Sequence, residues 1–262
     1  MVRMTSLADT IQAIPVQSMD TALADSFILG FDTETTGTIS GKDSIVSASL
    51  VLRYPHKDFT SDVTQSWVIN PRIPMHPAAS RVNGFTDEFL ATHGADQVDS
   101  IHEISDIIIA AQLRNIPVLA YNAPFDITML NGDMHKIGLA DVTTELRDRD
   151  TENFLTHTQR ELLVFDPLVI DRAVSHRPGP RKLIDTTQYY GVYPHGDFHT
   201  ALADTVATVD VMREIIRLHD DIASLELTDL MPRQRFWYEQ WQTSFNEYLR
   251  SKNRPQIKGS WL

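Results

Sequence analysis

The stretch Phe27-Ile28-Leu29-Gly30-Phe31 runs apolar without a break into Asp32, Thr33 and Glu34, with Gly37 just beyond. A short apolar run ending in polar residues has the pattern of a buried central strand. Two further strand-like segments follow. Ile45 to Leu52 sets Ser47 and Ser49 between Val46, Ala48 and Leu50, and Trp67-Val68-Ile69 is the third. Short polar joins between the three predict an antiparallel meander. Beyond it, Ile101, Ile104, Ile108 and Ala111 fall at helical spacing, with Ser100 and Glu103 placed as a capping box. Pro117 to Tyr121 then reads as a strand, and Asn122-Ala123-Pro124 as a turn into a helix with Pro at its first position. Leu162 to Phe165 reads as another strand, Pro178-Gly179-Pro180 as a loop, and Thr200 to Leu218 as a helix with a broad apolar face. Hairpins first and helix–strand alternation afterwards predict an α/β or α+β chain with a mixed sheet.

Composition narrows the chemistry. At 262 residues, one compact domain or two small ones are expected, and 42% hydrophobic with 22% charged residues is globular composition. The chain has no Cys, which excludes disulfides, thiolate nucleophiles and Cys-ligated metal centres. Its 23 basic and 35 acidic residues give a net charge of −12, which argues against broad coating of nucleic acid but not against an enzyme that grips one strand end through metal ions. The first 25 residues lack the apolar core of a secretory signal and no segment matches a membrane span, so a soluble, cytoplasmic protein without membrane contact is expected. Near the end, Trp237, Trp241, Phe245 and Tyr248-Leu249 form one aromatic stripe of an extra helix. The plain expectation is that this stripe docks on the main domain. Residues 250–262 are polar, with four basic side chains, and are expected to be mobile or to dock late. The expected division is an extension over 1–25, a main domain over 26–220 and a helical extension and tail over 221–262.

Four acids and one imidazole stand out. The strand period of two puts Asp32 and Glu34 on one face, where paired carboxylates call for a divalent cation between them. The same tripeptide recurs at Asp150 to Glu152 after charged residues, which reads as a solvated loop. Asp126 opens a helix beside the sheet's end, where a helix N-terminal acid is the plainer role. Asp204 lies inside an apolar helix, either facing solvent or bound to a partner. His199, five residues before Asp204, can reach the site that carboxylate faces and act as general base there, with His195 a competitor in the same loop. Arg181 and Lys182 are candidate phosphate contacts beside the plainer reading of solvated side chains.

These pieces resemble a known family. Asp32-Thr33-Glu34-Thr35-Thr36-Gly37, Asn122-Ala123-Pro124-Phe125-Asp126 and His199-Thr200-Ala201-Leu202-Ala203-Asp204 look like the three motifs of the DnaQ-like, DEDDh 3′→5′ exonucleases. Asn70-Pro71 and Val82-Asn83-Gly84-Phe85-Thr86 are similar to a stretch between the first two motifs. Val164-Phe165-Asp166-Pro167-Leu168, Arg181-Lys182-Leu183 and Tyr190-Gly191-Val192 resemble the segment before the third motif in bacterial proteins related to the proofreading (epsilon) subunit of DNA polymerase III. The resemblance covers residues 26–218 and implies an RNase H-like fold, a mixed central β-sheet flanked by helices. It also implies two divalent ions, Mg²⁺ or Mn²⁺, held by Asp32, Glu34, Asp126 and Asp204, with His199 as general base and Thr35, Thr36, Asn122 and Phe125 lining the pocket for the terminal nucleotide. The expected activity is release of nucleoside 5′-monophosphates from single-stranded or frayed DNA ends, in proofreading or repair. An exoribonuclease of the same fold and a polymerase-associated interaction module are the competing expectations.

Overall fold

The computed structural model describes residues 6–150, 160–193 and 200–262. The meander forms as expected: β1 (Ile28–Thr35), β2 (Ile45–Arg53) and β3 (Val63–Asn70) pair antiparallel in sequence order. Three short strands complete the sheet. β4 (Ala95–Asp96) runs parallel to β3, β5 (Val118–Leu119) parallel to β1, and β6 (Val164–Phe165) parallel to β5, giving the order β4-β3-β2-β1-β5-β6. β1 is therefore central, as its unbroken apolar run requires. β2 is buried along its whole length, so Ser47 and Ser49 mark no solvent face. Ser49 instead accepts from the Ser66 hydroxyl at 3.3 Å.

Helices cover both faces. On one side lie α1 (Leu7–Ala13), α4 (Gln97–Gln112), α5 (Pro124–Lys136) and α6 (Val142–Arg149), packed on Leu29, Phe31, Leu50 and Leu52. Two short helices, α2 (Pro77–Asn83) and α3 (Asp87–His93), lie between β3 and β4 in sequence. On the opposite face, α8 (Leu183–Tyr190), α9 (Ala201–Leu218) and α10 (Asp220–Ala223) contribute to a second core around Ile28, Val51, Leu119 and Phe165. After β6 comes α7 (Pro167–Val174), and α11 (Leu227–Ser251) packs against α7 and β6. Among the described residues no helix is long and apolar enough to cross a membrane.

Two local expectations change. α4 starts at Gln97 and is capped by Asp96, not Ser100, because the Asp96 carboxylate accepts from Val98 N at 2.9 Å four residues earlier. Glu103 is then free to accept from Trp67 Nε1 at 2.7 Å and Gln65 Nε2 at 2.8 Å, tying α4 to β3. Asp150 is also not solvated: it is 4% exposed and paired with Arg160 at 2.8 Å. Thr151 and Glu152 lie outside the described residues.

α11 docks by Leu227, Leu230, Met231 and Gln234, while the aromatic stripe further along is only half covered. Trp241 and Phe245 stack on each other with ring centroids 5.3 Å apart, and Tyr248 is 52% exposed. The Arg172 guanidinium lies 3.6 Å from the centre of the Trp241 ring. The polar tail folds back on the helix, with Asn246 holding Ile257 through two hydrogen bonds of 2.7 and 2.9 Å. What anchors it is Trp261, 5% exposed, whose ring joins the main hydrophobic core. At the sheet's margin, Val164 N donates to the Met231 sulfur, Val164 O accepts from Gln234 Nε2 at 2.7 Å, and Asp166 N donates to Gln234 Oε1 at 2.8 Å.

The seat of α9 on β1 depends on Gly30. A methyl group there would stand 2.7 Å from Cγ2 of both Thr205 and Val209, so only a bare Cα permits this approach. At the far end of β2, Arg53 is 1% exposed and forms ion pairs with Asp62 at 2.6 Å and with Asp210 of α9 at 2.5 Å. Gly30→Ala should therefore push α9 off the sheet at a cost of about 1–3 kcal/mol. A fall in Tm by urea-monitored or thermal unfolding checks this, and an unchanged Tm contradicts it.

Candidate active site

Asp32 and Glu34 alternate with Thr33 along β1 and face α9, on the same side of the strand as Gly30. The pairing register to β2 slips between Glu34 and Thr35, an irregularity beside the acids after which Thr35 still pairs with Ile45. Asp204 meets them from the first turn of α9, whose N-cap Thr200 accepts from Ala203 N. One carboxylate oxygen from each of Asp32, Glu34 and Asp204 lies within 4.8 Å of the other two, and all three side chains are half-buried. The fourth acid is set apart. Asp126, in the first turn of α5, is 3% exposed and its Oδ1 accepts the Thr33 hydroxyl at 2.7 Å. Thr33 lies on the α5 side of β1, so Asp126 approaches the group from the opposite face of the sheet.

Electrostatics single out the same cluster as distance does. Burial, then the charges of Asp126, Asp204 and Glu34, push the Asp32 pKa well above the carboxylate range. Burial and Asp204 raise Glu34 to about 7, against a hydrogen bond from Asn83 that lowers it. Asp126 is also raised to about 7, chiefly by burial, with the Thr33 hydroxyl opposing. Acids in this state need either protons or a cation. Closely spaced carboxylate oxygens are hard donors that suit a divalent ion such as Mg²⁺ or Mn²⁺, so the residues present fit the metal that the sequence implies.

Beside Glu34 opens a cleft of about 780 Å³. Thr35 and Phe125 line it, together with Ile39, Met75, Val82 and Asn83. Thr36 does not: it is fully buried and its hydroxyl accepts from Ser44 N at 3.0 Å, closing the loop after β1. A buried hydroxyl must find such a partner. Asn122 is exposed on the turn before α5 with φ of 65°, outside the cleft wall. Arg181 is committed to the buried Asp171 carboxylate rather than to solvent. His199 and His195 lie outside the described residues. Asn83 is a site residue that spacing alone did not single out: it reaches both Glu34 and, at 3.2 Å, the Thr35 carbonyl.

A match to the family described as Exonuclease (RNase_T) spans residues 29–212, the greater part of the chain and all four acidic strand and helix positions. The chain belongs to the exonuclease family. An epsilon-like protein of DNA polymerase III from Rhodobacter capsulatus is 27% identical over 190 residues, which are 71% of this chain but 23% of that protein. Among solved structures, Escherichia coli exonuclease I in complex with a dT13 oligonucleotide superposes with a TM-score of 0.56 at 17% identity, covering 86% of this chain and 46% of the other. Exonuclease I of Methylocaldum szegediense gives 0.51 at 20% identity, covering 80% and 43%. The chain thus spans under half the length of these relatives, and the shared part is the RNase H-like exonuclease fold.

Because folding raises the Glu34 pKa from 4.5 to about 7, the folded chain holds that proton more tightly than the unfolded one. The stability it contributes is complete below about pH 4.5 and is lost as pH rises through 7. In EDTA, Glu34→Gln should therefore match the parent near pH 4.5 and exceed its Tm increasingly up to pH 8. Added Mn²⁺ should reverse that order at pH 8 by stabilising the parent more. Parallel melting curves at all pH values would show that no repulsion is stored there.

Proposed function

We propose that this exonuclease-family chain is a metal-dependent 3′→5′ exonuclease that removes nucleoside 5′-monophosphates from single-stranded or frayed DNA ends. The observation that carries this is the convergence of Asp32, Glu34 and Asp204 within 4.8 Å beside an open cleft. Asp32, Glu34 and Asp204 would hold the cations, and Asp126, oriented by Thr33, completes the set from the other face of the sheet. Bound divalent ions, two in this reading, supply Lewis-acid polarisation of the scissile phosphate and a lowered pKa for the attacking water. His199 takes the proton of that water, a role resting on its five-residue spacing from Asp204. Thr35, Phe125, Met75 and Val82 form the wall against which the terminal nucleoside rests. Asn83 holds the Glu34 carboxylate and the Thr35 backbone together at the junction of metal site and cleft.

The relatives favour DNA as substrate. E. coli exonuclease I has been solved with dT13 and dA16 oligonucleotides and, in a zinc-bound form, with single-stranded DNA. The epsilon-like name of the R. capsulatus relative supports work alongside a DNA polymerase, with a mismatched primer end as the natural substrate.

The test uses 5′-labelled DNA, matched and mismatched at the 3′ end, and RNA of the same sequence, with Mg²⁺, Mn²⁺ or EDTA. A DNA ladder that disappears in EDTA, runs faster from mismatched ends and is lost by more than about 100-fold in Asp32→Ala is the expected outcome. Shortening of RNA alone would replace DNA by RNA, and full activity in Asp32→Ala would refute the site. The rate should rise with pH through the imidazole range, about 6.5, and His199→Asn should flatten that limb while Mn²⁺ still binds.

A further inference from the structure

Asp166 is a buried acid that the proposed chemistry does not use. It is 1% exposed and caps α7 by accepting from Leu168 N at 3.0 Å. It does more than cap. Its Oδ1 also accepts from Asn122 N at 3.0 Å and its Oδ2 from Ala123 N at 3.1 Å, so the carboxylate grips the turn that launches α5. The fourth donor comes from far along the chain: Trp261 Nε1 reaches Oδ2 at 3.1 Å. Burial raises the Asp166 pKa, and the indole N–H is foremost among the donors opposing that rise.

The turn needs this grip. Asn122 is held at φ of 65°, a left-handed conformation that persists only where its surroundings fix it. Asp126 lies four residues further on, within the first turn of α5, so any relaxation at Asn122 moves its carboxylate relative to Asp32. Trp261 is itself carried by a strap. Gln242 Nε2 donates to Gly259 O at 2.8 Å, Asn246 brackets Ile257 on both sides, and Arg235 Nε donates to Leu262 O at 3.3 Å. All of this lies beyond residue 212, where the family match ends.

We propose that Trp261 is a positioning residue for the acidic site, acting through Asp166 on the Asn122–Ala123 turn that places Asp126. The strap over residues 254–262 is thereby an accessory part of the site, added to the family's shared fold. The inference rests on the reading of Asp126 as a member of the acidic site. Removing the indole N–H leaves a buried carboxylate short of one donor, and the two remaining grips on the turn must absorb the change. Partners behind metal-binding groups characteristically change metal affinity or turnover by about 10–100-fold.

The test compares the parent chain, Trp261→Phe, which keeps an aromatic body but no donor, and Asn246→Ala, which loosens the strap without touching Asp166. Amide exchange at Asn122 and Ala123 by NMR, Mn²⁺ affinity by EPR, and kcat and KM on single-stranded DNA are measured for each. Trp261→Phe should speed exchange at those two amides while those of α4 hold, weaken Mn²⁺ binding or kcat by about tenfold, and leave KM within about twofold. Asn246→Ala should move the same readouts in the same direction by less. Exchange and Mn²⁺ affinity within about twofold of the parent in both variants, or uniform acceleration across α4 as well, would overturn the proposal. A parent that neither binds Mn²⁺ nor cleaves would instead defeat the reading of the acidic site, and the exchange at Asn122 and Ala123 would still decide whether the relay exists.

Discussion

Repulsion among carboxylates at the end of the sheet's central strand is the constraint around which this chain is built. Asp32 and Glu34 are raised by burial and by their acidic neighbours, so bringing Asp204 beside them works against the charge of all three. The approach is held by contacts that carry no charge at the site itself. Gly30 lets α9 sit directly on β1, and Arg53 fastens the same helix near its middle through Asp210. The four acids arrive on three elements, β1, α5 and α9, which belong to both helical layers. A cation at that point therefore draws together parts of the fold that otherwise repel.

Partners separate the acids of the candidate site from those that tie the fold together. Asp171 is fully buried, yet Arg177, Ser175 and Arg181 overcome the effect of burial and hold its carboxyl below the usual range. Asp133, equally buried, receives Ile45 N at 2.8 Å and Lys136 Nζ at 3.0 Å. Both fasten loops and helices in place. Asp32 and Glu34 are instead surrounded by further carboxylates, and this contrast marks the site independently of any sequence motif.

The sheet's centre and the acids of β1 were legible in the sequence because each follows from a short-range pattern: an unbroken apolar run for β1 and a period of two for Asp32 and Glu34. Asp204 was legible as an acid out of place in an apolar helix, although its direction was not. What stayed hidden depends on contacts distant in sequence. The Thr33 bond that sets Asp126, the diversion of Thr36 into its own loop, the burial of Asp150 by Arg160 and the capping of α4 by Asp96 rather than Ser100 all turn on which partner a polar group meets after folding. The tail is the largest such case. Its polar composition left mobility and late docking both open, and one tryptophan with a buried acceptor decides for docking.

Gln234 adds a consequence of another kind. β6 is the last strand of the sheet, and a last strand leaves backbone groups open to pairing with a second chain. The side-chain amide of Gln234 accepts from the Asp166 N–H and donates to the Val164 carbonyl there, as a peptide unit of a neighbouring strand would, and the Met231 sulfur takes the Val164 N–H that precedes them. A single helix thus imitates the missing strand with side chains. At these three groups the margin of the sheet is closed to β-augmentation.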